Sequence, residues 1–185
     1  MIRTLFILLL SVYAYFVNAQ CTFERYYTFY PITSAIFKTI KTSDGGFLTV
    51  MGGGFDSIFP GQDMDMLLVK NDSCGNTLWK THYGYSGEGN DAIDAVEAAN
   101  GDYLVTGNAG WQQATANIRV ARFTKNGQFV WAKLYSGLID SRVYSIIKRK
   151  NKNSYVVGGF MDDSHNGTDM KGYIIEINDN DCRFV

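Results

Sequence analysis

DMLLVKNDSCGNTLWKTHYG, residues 65–84, is followed 52 positions later by NIRVARFTKNGQFVWAKLYSG, residues 117–137. Overlaid, the two stretches match Lys70 with Arg122, Gly75 with Gly127, Trp79 with Trp131 and Tyr83 with Tyr135. Each reads as two strands around a tight polar turn: an apolar run, a turn (NDSCGN or TKNGQ), then TLWKTHYG or FVWAKLYSG. Aromatic and β-branched residues bounded by Asn, Asp and Gly are the pattern of strands and their reversals. Alternate side chains of a strand share a face, so Trp79, Thr81 and Tyr83 belong together, as do Trp131, Lys133 and Tyr135.

Upstream of each stretch lies another strand candidate. SDGGFLTVMGGG at 43–54 resembles ANGDYLVTGN at 99–108 and KNSYVVGGF at 152–160. Before these come three apolar alternations, SAIFKTIKT, NDAIDAVEA and DSRVYSIIK. The first predicts Ile36, Lys38 and Ile40 on one face, with Phe37 and Thr39 on the other. Gly or Asn in each following turn supplies the left-handed backbone that a hairpin reversal needs. The third strands are DMLLVK, NIRVAR and KGYIIE, and the runs 66–69 and 173–175 are apolar enough for strands covered on both faces. A unit of about 50 residues with four antiparallel strands cannot bury both faces of its own sheet, so neighbouring units must stack. The expected fold class is all-β, built of four-stranded antiparallel blades of a β-propeller. A β-sandwich or solenoid with a chance likeness between hairpins is the alternative.

FERYYTF, residues 23–29, aligns with WKTHYGY and puts Phe23 in the Trp position. The reading is therefore a lone fourth strand at 23–29, blades at 34–85 and 90–137, and an incomplete blade at 140–185. That makes twelve strands in three blades, too few to close a ring of the usual 4–8. The chain is then a fragment of a longer propeller, half of a homodimeric six-bladed ring, or an open array.

These residues carry a resemblance. DGGFLTVMGG, with DMDMLLVKNDSCGNTLWKTHYGYSGEGNDAIDAV, is similar to the repeat of secreted bacterial β-propellers, which runs as D-G-G-Y, V-x-G, then D-hydrophobic-hydrophobic-K-x-D-x-x-G-N-x-x-W-x-K-x-Y-G-G. The likeness covers nearly everything after residue 22. It implies an exported protein and says almost nothing of activity. Many members of that family carry a C-terminal sorting domain for type IX secretion, which this sequence does not show. It also departs from the pattern at Arg122 and Thr124, and at Val185, which stands in a Trp position.

Residues 1–19 have one cation, Arg3, an uncharged apolar run and a small residue, Ala19, which together read as a signal peptide. The 13-residue run is shorter than the roughly 20 residues of a spanning helix, so no membrane insertion is expected after its removal. The expected location is secreted, cell-surface or periplasmic. A net charge of −1 gives no footprint for nucleic acid. The three cysteines, Cys21, Cys74 and Cys182, form no close pair. Cys21 and Cys182 fall at nearly equivalent points, so a bond between them could staple a ring; small buried thiols are the plainer reading.

No residue is assigned a catalytic or metal-binding role, and no cofactor is expected. His82 reads as an ordinary strand residue, and His165 sits in the polar loop MDDSHNGTDM. GYSGEG lacks the Lys and helix of a phosphate loop. Binding candidates lie in the loops that differ most between units: Trp111, free to stack on a ligand or tucked against its sheet, and Asp162, Asp163 and Asp169. The function expected is non-catalytic binding or scaffolding, with an extracellular protein or glycan as partner. A carbohydrate-active enzyme domain and an inert truncation product are the rivals.

Overall fold

The computed structural model describes residues 22–27, 34–54, 64–84, 89–110, 117–135, 141–162 and 168–178. These residues form an all-β structure of three antiparallel sheets, with no helix among them. No helix among the described residues is long and apolar enough to cross a membrane. The first sheet holds β1 (Ser34–Lys41), β2 (Phe47–Gly54), β3 (Met64–Asn71) and β4 (Thr77–Tyr83), side by side in that order. The second holds β5 (Asp94–Glu97), β6 (Tyr103–Ala109), β7 (Asn117–Phe123) and β8 (Phe129–Tyr135) in the same order. The third contains β9 (Ser141–Lys148), β10 (Ser154–Asp162) and β11 (Met170–Asn178), with β10 in the middle.

The turns follow from their residues. Gly45, Gly101 and Asn151 take positive φ between the first two strands of each sheet, at 84°, 86° and 61°. Gly75 and Gly127 both stand at 79° between the third and fourth. Asp72 fixes the first of these latter turns by accepting the backbone N–H groups of Cys74 and Asn76 on Oδ1 (2.9 and 2.8 Å), an Asx-type closure.

The sheets bury each other in chain order. Leu48, Val50, Met66 and Leu68 of the first pack with Tyr103, Val105, Ala121 and Phe123 of the second. The opposite face of the second, with Leu104, Ile118, Val120 and Tyr135, packs with Val143, Ile146, Tyr155, Val157 and Ile177 of the third. Most of these side chains are wholly buried, which stabilises by roughly 1.5–3 kcal/mol for each large aliphatic one. β3 is covered on both faces, as its sequence implies: Met66, Leu67, Leu68 and Val69 are all at 0% exposure. The matching run in β11 is not, for Ile174 is 76% exposed.

Trp79 and Trp131 occupy the same register position, opposite Lys70 and Arg122, with a ladder irregularity directly after each cation. Trp79 and Tyr83 pack toward the second sheet, and Trp131 and Tyr135 toward the third. The first-strand alternation needs correction. A β-bulge between Ile36 and Lys38 leaves Phe37 without a partner in the register and shifts the phase. Ile36 and Thr39 therefore pair with Met51 and Thr49, while Lys38 and Ile40 pair with Val50 and Leu48 on the other face.

The strand expected at 23–29 also needs correction. Residues 22–27 form no ladder, and residues 28 and 29 lie outside the described residues. The described strands number eleven. The reason is placement: the segment lies across a face of the first sheet, not along an edge where it could pair. Phe23 meets the Phe47 ring at 5.9 Å, Arg25 Nε donates to the Gly75 carbonyl (3.0 Å), and the Tyr27 hydroxyl donates to Asn71 Oδ1 (2.9 Å).

Candidate ligand-binding cleft

The turn between β1 and β2 closes with Thr42 N–H to Gly46 O (2.9 Å) and Gly45 N–H to Thr42 O (3.0 Å). Asp44 at its tip accepts from Thr42 Oγ1 (2.6 Å), Gly46 N–H (3.0 Å) and Lys70 Nζ (2.9 Å to Oδ2). Lys70 is buried and also donates to the Asn71 carbonyl at 3.0 Å. The Thr42 hydroxyl and then the Lys70 ammonium hold the Asp44 carboxyl down to about 2. A Cβ at Gly46 would meet Asn71 O at 2.2 Å, so the turn needs glycine to lie this close to β3.

The same device recurs in the other sheets. Asp102, in the turn before β6, meets Arg122 of β7 at 3.0 Å. In the third sheet the signs are reversed: Arg149 after β9 donates to Glu176 of β11 at 2.6 and 2.7 Å. Lys70, Arg122 and Glu176 share one register position, opposite Leu48, Leu104 and Val156. Arg149, followed by the Ser154 hydroxyl, holds the Glu176 carboxyl below the usual range. Each pair ties a turn to the third strand of its own sheet.

Between the first and second sheets these turns frame a cleft of about 300 Å³. Ser43 N–H and Oγ both reach across to Glu97 of the second sheet (2.7 Å each). The Trp79 indole N–H donates to Lys125 O at 3.0 Å, and its ring lies over Gly127, where a Cβ would meet Cε3 at 2.7 Å. Tyr103 stands 6.0 Å from that ring, and burial pushes its phenol well above the usual range. Leu78, Lys125 and Asn126 complete an exposed rim. The cleft therefore has an apolar wall of Leu78, Trp79 and Tyr103, facing two carboxylates and two ammonium groups.

Deeper charges are also used. Asp91 accepts Asn108 N–H (2.7 Å), and Asn108 Oδ1 accepts Val143 N–H of the third sheet (2.9 Å). Asp94 accepts Ile146 N–H at 3.0 Å and has Lys38 at 3.9 Å, so one carboxylate joins all three sheets. Burial raises the Asp91 carboxyl above the ordinary range. Arg119 is buried, donates to Asn90 Oδ1 and lies 5.7 Å from the Tyr83 ring centre.

No family model and no curated protein matches this chain.

Of the binding candidates from the sequence, Trp111 and Asp163 lie outside the described residues. Asp162 is buried at the end of β10, opposite Met170 in the ladder. Asp169 is exposed and ion-paired with Lys171 at 3.1 Å. Among the described residues no group of three or more His, Cys, Asp or Glu is arranged to hold a metal. His82 Nδ1 lies 3.0 Å from Asp65 Oδ2. Cys21 and Cys182 lie outside the described residues, but Cys74 is disulfide-bonded. With three cysteines in the chain, that bond takes one of the other two, so a Cys21–Cys182 pair within one chain cannot stand beside it. Asn71, which opens an Asn-Asp-Ser glycosylation sequon, is buried with its amide donating to Gly75 O. The turn pairs escaped the sequence reading because Asp44 and Asp102 look like ordinary turn formers; their cations come 26 and 20 residues later.

Proposed function

We propose that the three sheets are successive blades of a propeller-type repeat protein, exported, that holds a glycan in the cleft between the first two blades without cleaving it. Two features support the blade reading. Trp79 of the first sheet covers Gly127 and Tyr103 of the second, and Phe23 covers Gly75 and Phe47 of the first in the same way. The ring separations are 6.0 and 5.9 Å and the tilts 52° and 56°. Residues 22–27 thus stand toward the first sheet as β4 stands toward the second.

The observation that carries the binding reading is how the cleft's charges are engaged. Asp44 is clamped by Lys70, and both Glu97 oxygens accept from Ser43. A sugar offers one apolar ring face and a fringe of hydroxyls, which suits an aromatic wall facing polar groups with no net charge. Glycoside hydrolysis needs one carboxyl to stay protonated as the acid. A carboxyl held near 2 is a poor proton donor at neutral pH.

A glycan array probed with the purified protein tests this reading. Retention of a defined glycan is expected, weakened about tenfold or more by Leu78→Asp or Asn126→Ala with unfolding unchanged. No retained glycan, or retention indifferent to both substitutions, refutes it. Release of reducing sugar from the retained glycan would favour the carbohydrate-active enzyme instead.

A further inference from the structure

Lys125 stands apart from the other charged groups of the cleft. Lys70 is buried and engaged by Asp44, and both oxygens of Glu97 accept from Ser43. Lys125 is exposed and makes no ion pair among the described residues. Asp102 gives its Oδ2 to Arg122 and takes only the backbone N–H of Lys125 on Oδ1, at 3.3 Å. Two acids thus face two ammonium groups, yet the charge the cleft leaves uncommitted is positive.

That cation is also held in place. Its backbone is pinned on both sides, by the N–H bond to Asp102 and by the carbonyl that accepts the Trp79 indole N–H at 3.0 Å. Its stem runs past Gly101, where a Cβ would meet Lys125 Cβ and Cδ at 3.8 and 3.9 Å, an ordinary packing contact. A stem already laid along a neighbouring turn has less freedom to lose when its head takes a ligand. The turn itself does not need this charge. Gly75 and Gly127 share a φ of 79°, but in the first sheet's turn Ser73, 52 residues earlier, stands in the place of Lys125.

We infer that the glycan held in the cleft is an acidic one, a sugar that carries a carboxylate or a sulfate. Its ring lies on Leu78 and Trp79, and its anionic group turns to Lys125 and away from Asp44 and Glu97. An ammonium is a compact point charge without the planar fork of a guanidinium, so it accepts either anion. A basic sugar is disfavoured, because it would meet Lys125 and find both acids already holding donors. At about 300 Å³ the cleft is at the small end of ligand pockets, so it grips one acidic residue rather than a long run of them. The inference rests on the reading of the cleft as a glycan site and adds the sign of the charge that the glycan brings.

Titration calorimetry with four tetrasaccharides tests it: tetragalacturonate, a sulfated galactan fragment, neutral galactotetraose and fully deacetylated chitosan tetramer. One or both of the acidic probes are expected to bind about tenfold or more tightly than the neutral one, and the two acidic arms tell carboxylate from sulfate. Lys125→Gln should abolish that preference and leave the neutral sugar's affinity where it was, while Lys125→Arg keeps the preference. The side chain is exposed and its two hydrogen bonds are made by backbone, so both variants should keep the wild-type unfolding curve. The preference should also narrow with added salt, which screens exposed charges beyond about 8 Å at physiological strength. Four results would overturn the inference and leave the glycan reading standing: a neutral sugar held as tightly as both acidic ones, the amino sugar held tightest, an acidic preference that survives Lys125→Gln, or an equal fall for all four probes in that variant. If none of the four binds and the array retains no glycan, the glycan reading falls and this inference with it.

Discussion

Replacing Gly127 by alanine should do more harm than replacing Gly45, and the difference measures the ring seat between sheets. Both glycines have positive φ, 79° and 84°, so each alanine variant carries a left-handed penalty of about 1–2 kcal/mol. They differ in what the new methyl would meet. At Gly45 nothing lies within 4 Å. At Gly127 the Trp79 ring stands at 2.7 and 2.8 Å, inside any real carbon contact. The indole must lift, which stretches its bond to Lys125 O and its contact with Tyr103; overpacking of this kind costs about 1–3 kcal/mol. Gly127→Ala is therefore expected to lose about 2–5 kcal/mol against about 1–2 for Gly45→Ala, or roughly 2–12 °C of additional fall in Tm for a chain of this size. Gly101→Ala is a second control, since its φ is 86° and its nearest neighbour is Lys125 Cβ at 3.8 Å. Urea unfolding followed by tryptophan fluorescence reads all three. If Gly127→Ala and Gly45→Ala agree within about 0.5 kcal/mol, the indole is not a seat between sheets and the stacking argument fails.

Two further predictions follow from single groups. Asp44 has a folded-state value near 2, below that of an unfolded aspartate, so its contribution is present above about pH 4 and lost as pH falls toward 2. Because its side chain is 55% exposed, Asp44→Asn should cost only about 1 kcal/mol at neutral pH and nothing below pH ~2; urea midpoints across that window check it, and a constant difference would contradict it. Peptide mapping without reduction should link Cys74 to Cys21 and find Cys182 free, since Phe23 packs on Gly75 and two residues reach at most about 7 Å; a Cys74–Cys182 peptide would contradict the placement of residues 22–27.

Much of the sheet architecture was legible because it rests on local signals. Strand alternation, glycine or asparagine at the reversals, and the offset between Trp79 and Trp131 give strand order and register without any long-range knowledge. What escaped is what one extra residue or one absent neighbour decides. The bulge at Phe37 reverses the face of Ile36, yet IFKTIK reads as an unbroken alternation. FERYYTF has the composition of a strand, but a ladder needs an edge, and this segment rests on a face. The cleft was illegible for a related reason. Ser43 and Glu97, 54 residues apart, meet only because two sheets stack, and neither stands in a motif.

The reversed pair in the third sheet shows what the architecture asks of these positions. The place opposite Leu48, Leu104 and Val156 must hold a long charged side chain, because its head has to reach the turn before the second strand. The sign of the charge is free so long as the turn supplies the opposite one: Asp44 and Asp102 answer Lys70 and Arg122, and Arg149 answers Glu176. A search for a conserved cation at that position would pass over the third sheet, while a search for complementary pairs across the turn finds all three. Two of the cleft's four charged groups, Asp44 and Lys70, are thus part of a device that all three sheets share. If that device is structural throughout, ligand discrimination falls to the parts that differ between sheets, namely Leu78, Lys125 and Asn126 on the rim. Rim substitutions should then change which ligand is held, and substitutions of the pair should change whether the turn holds at all.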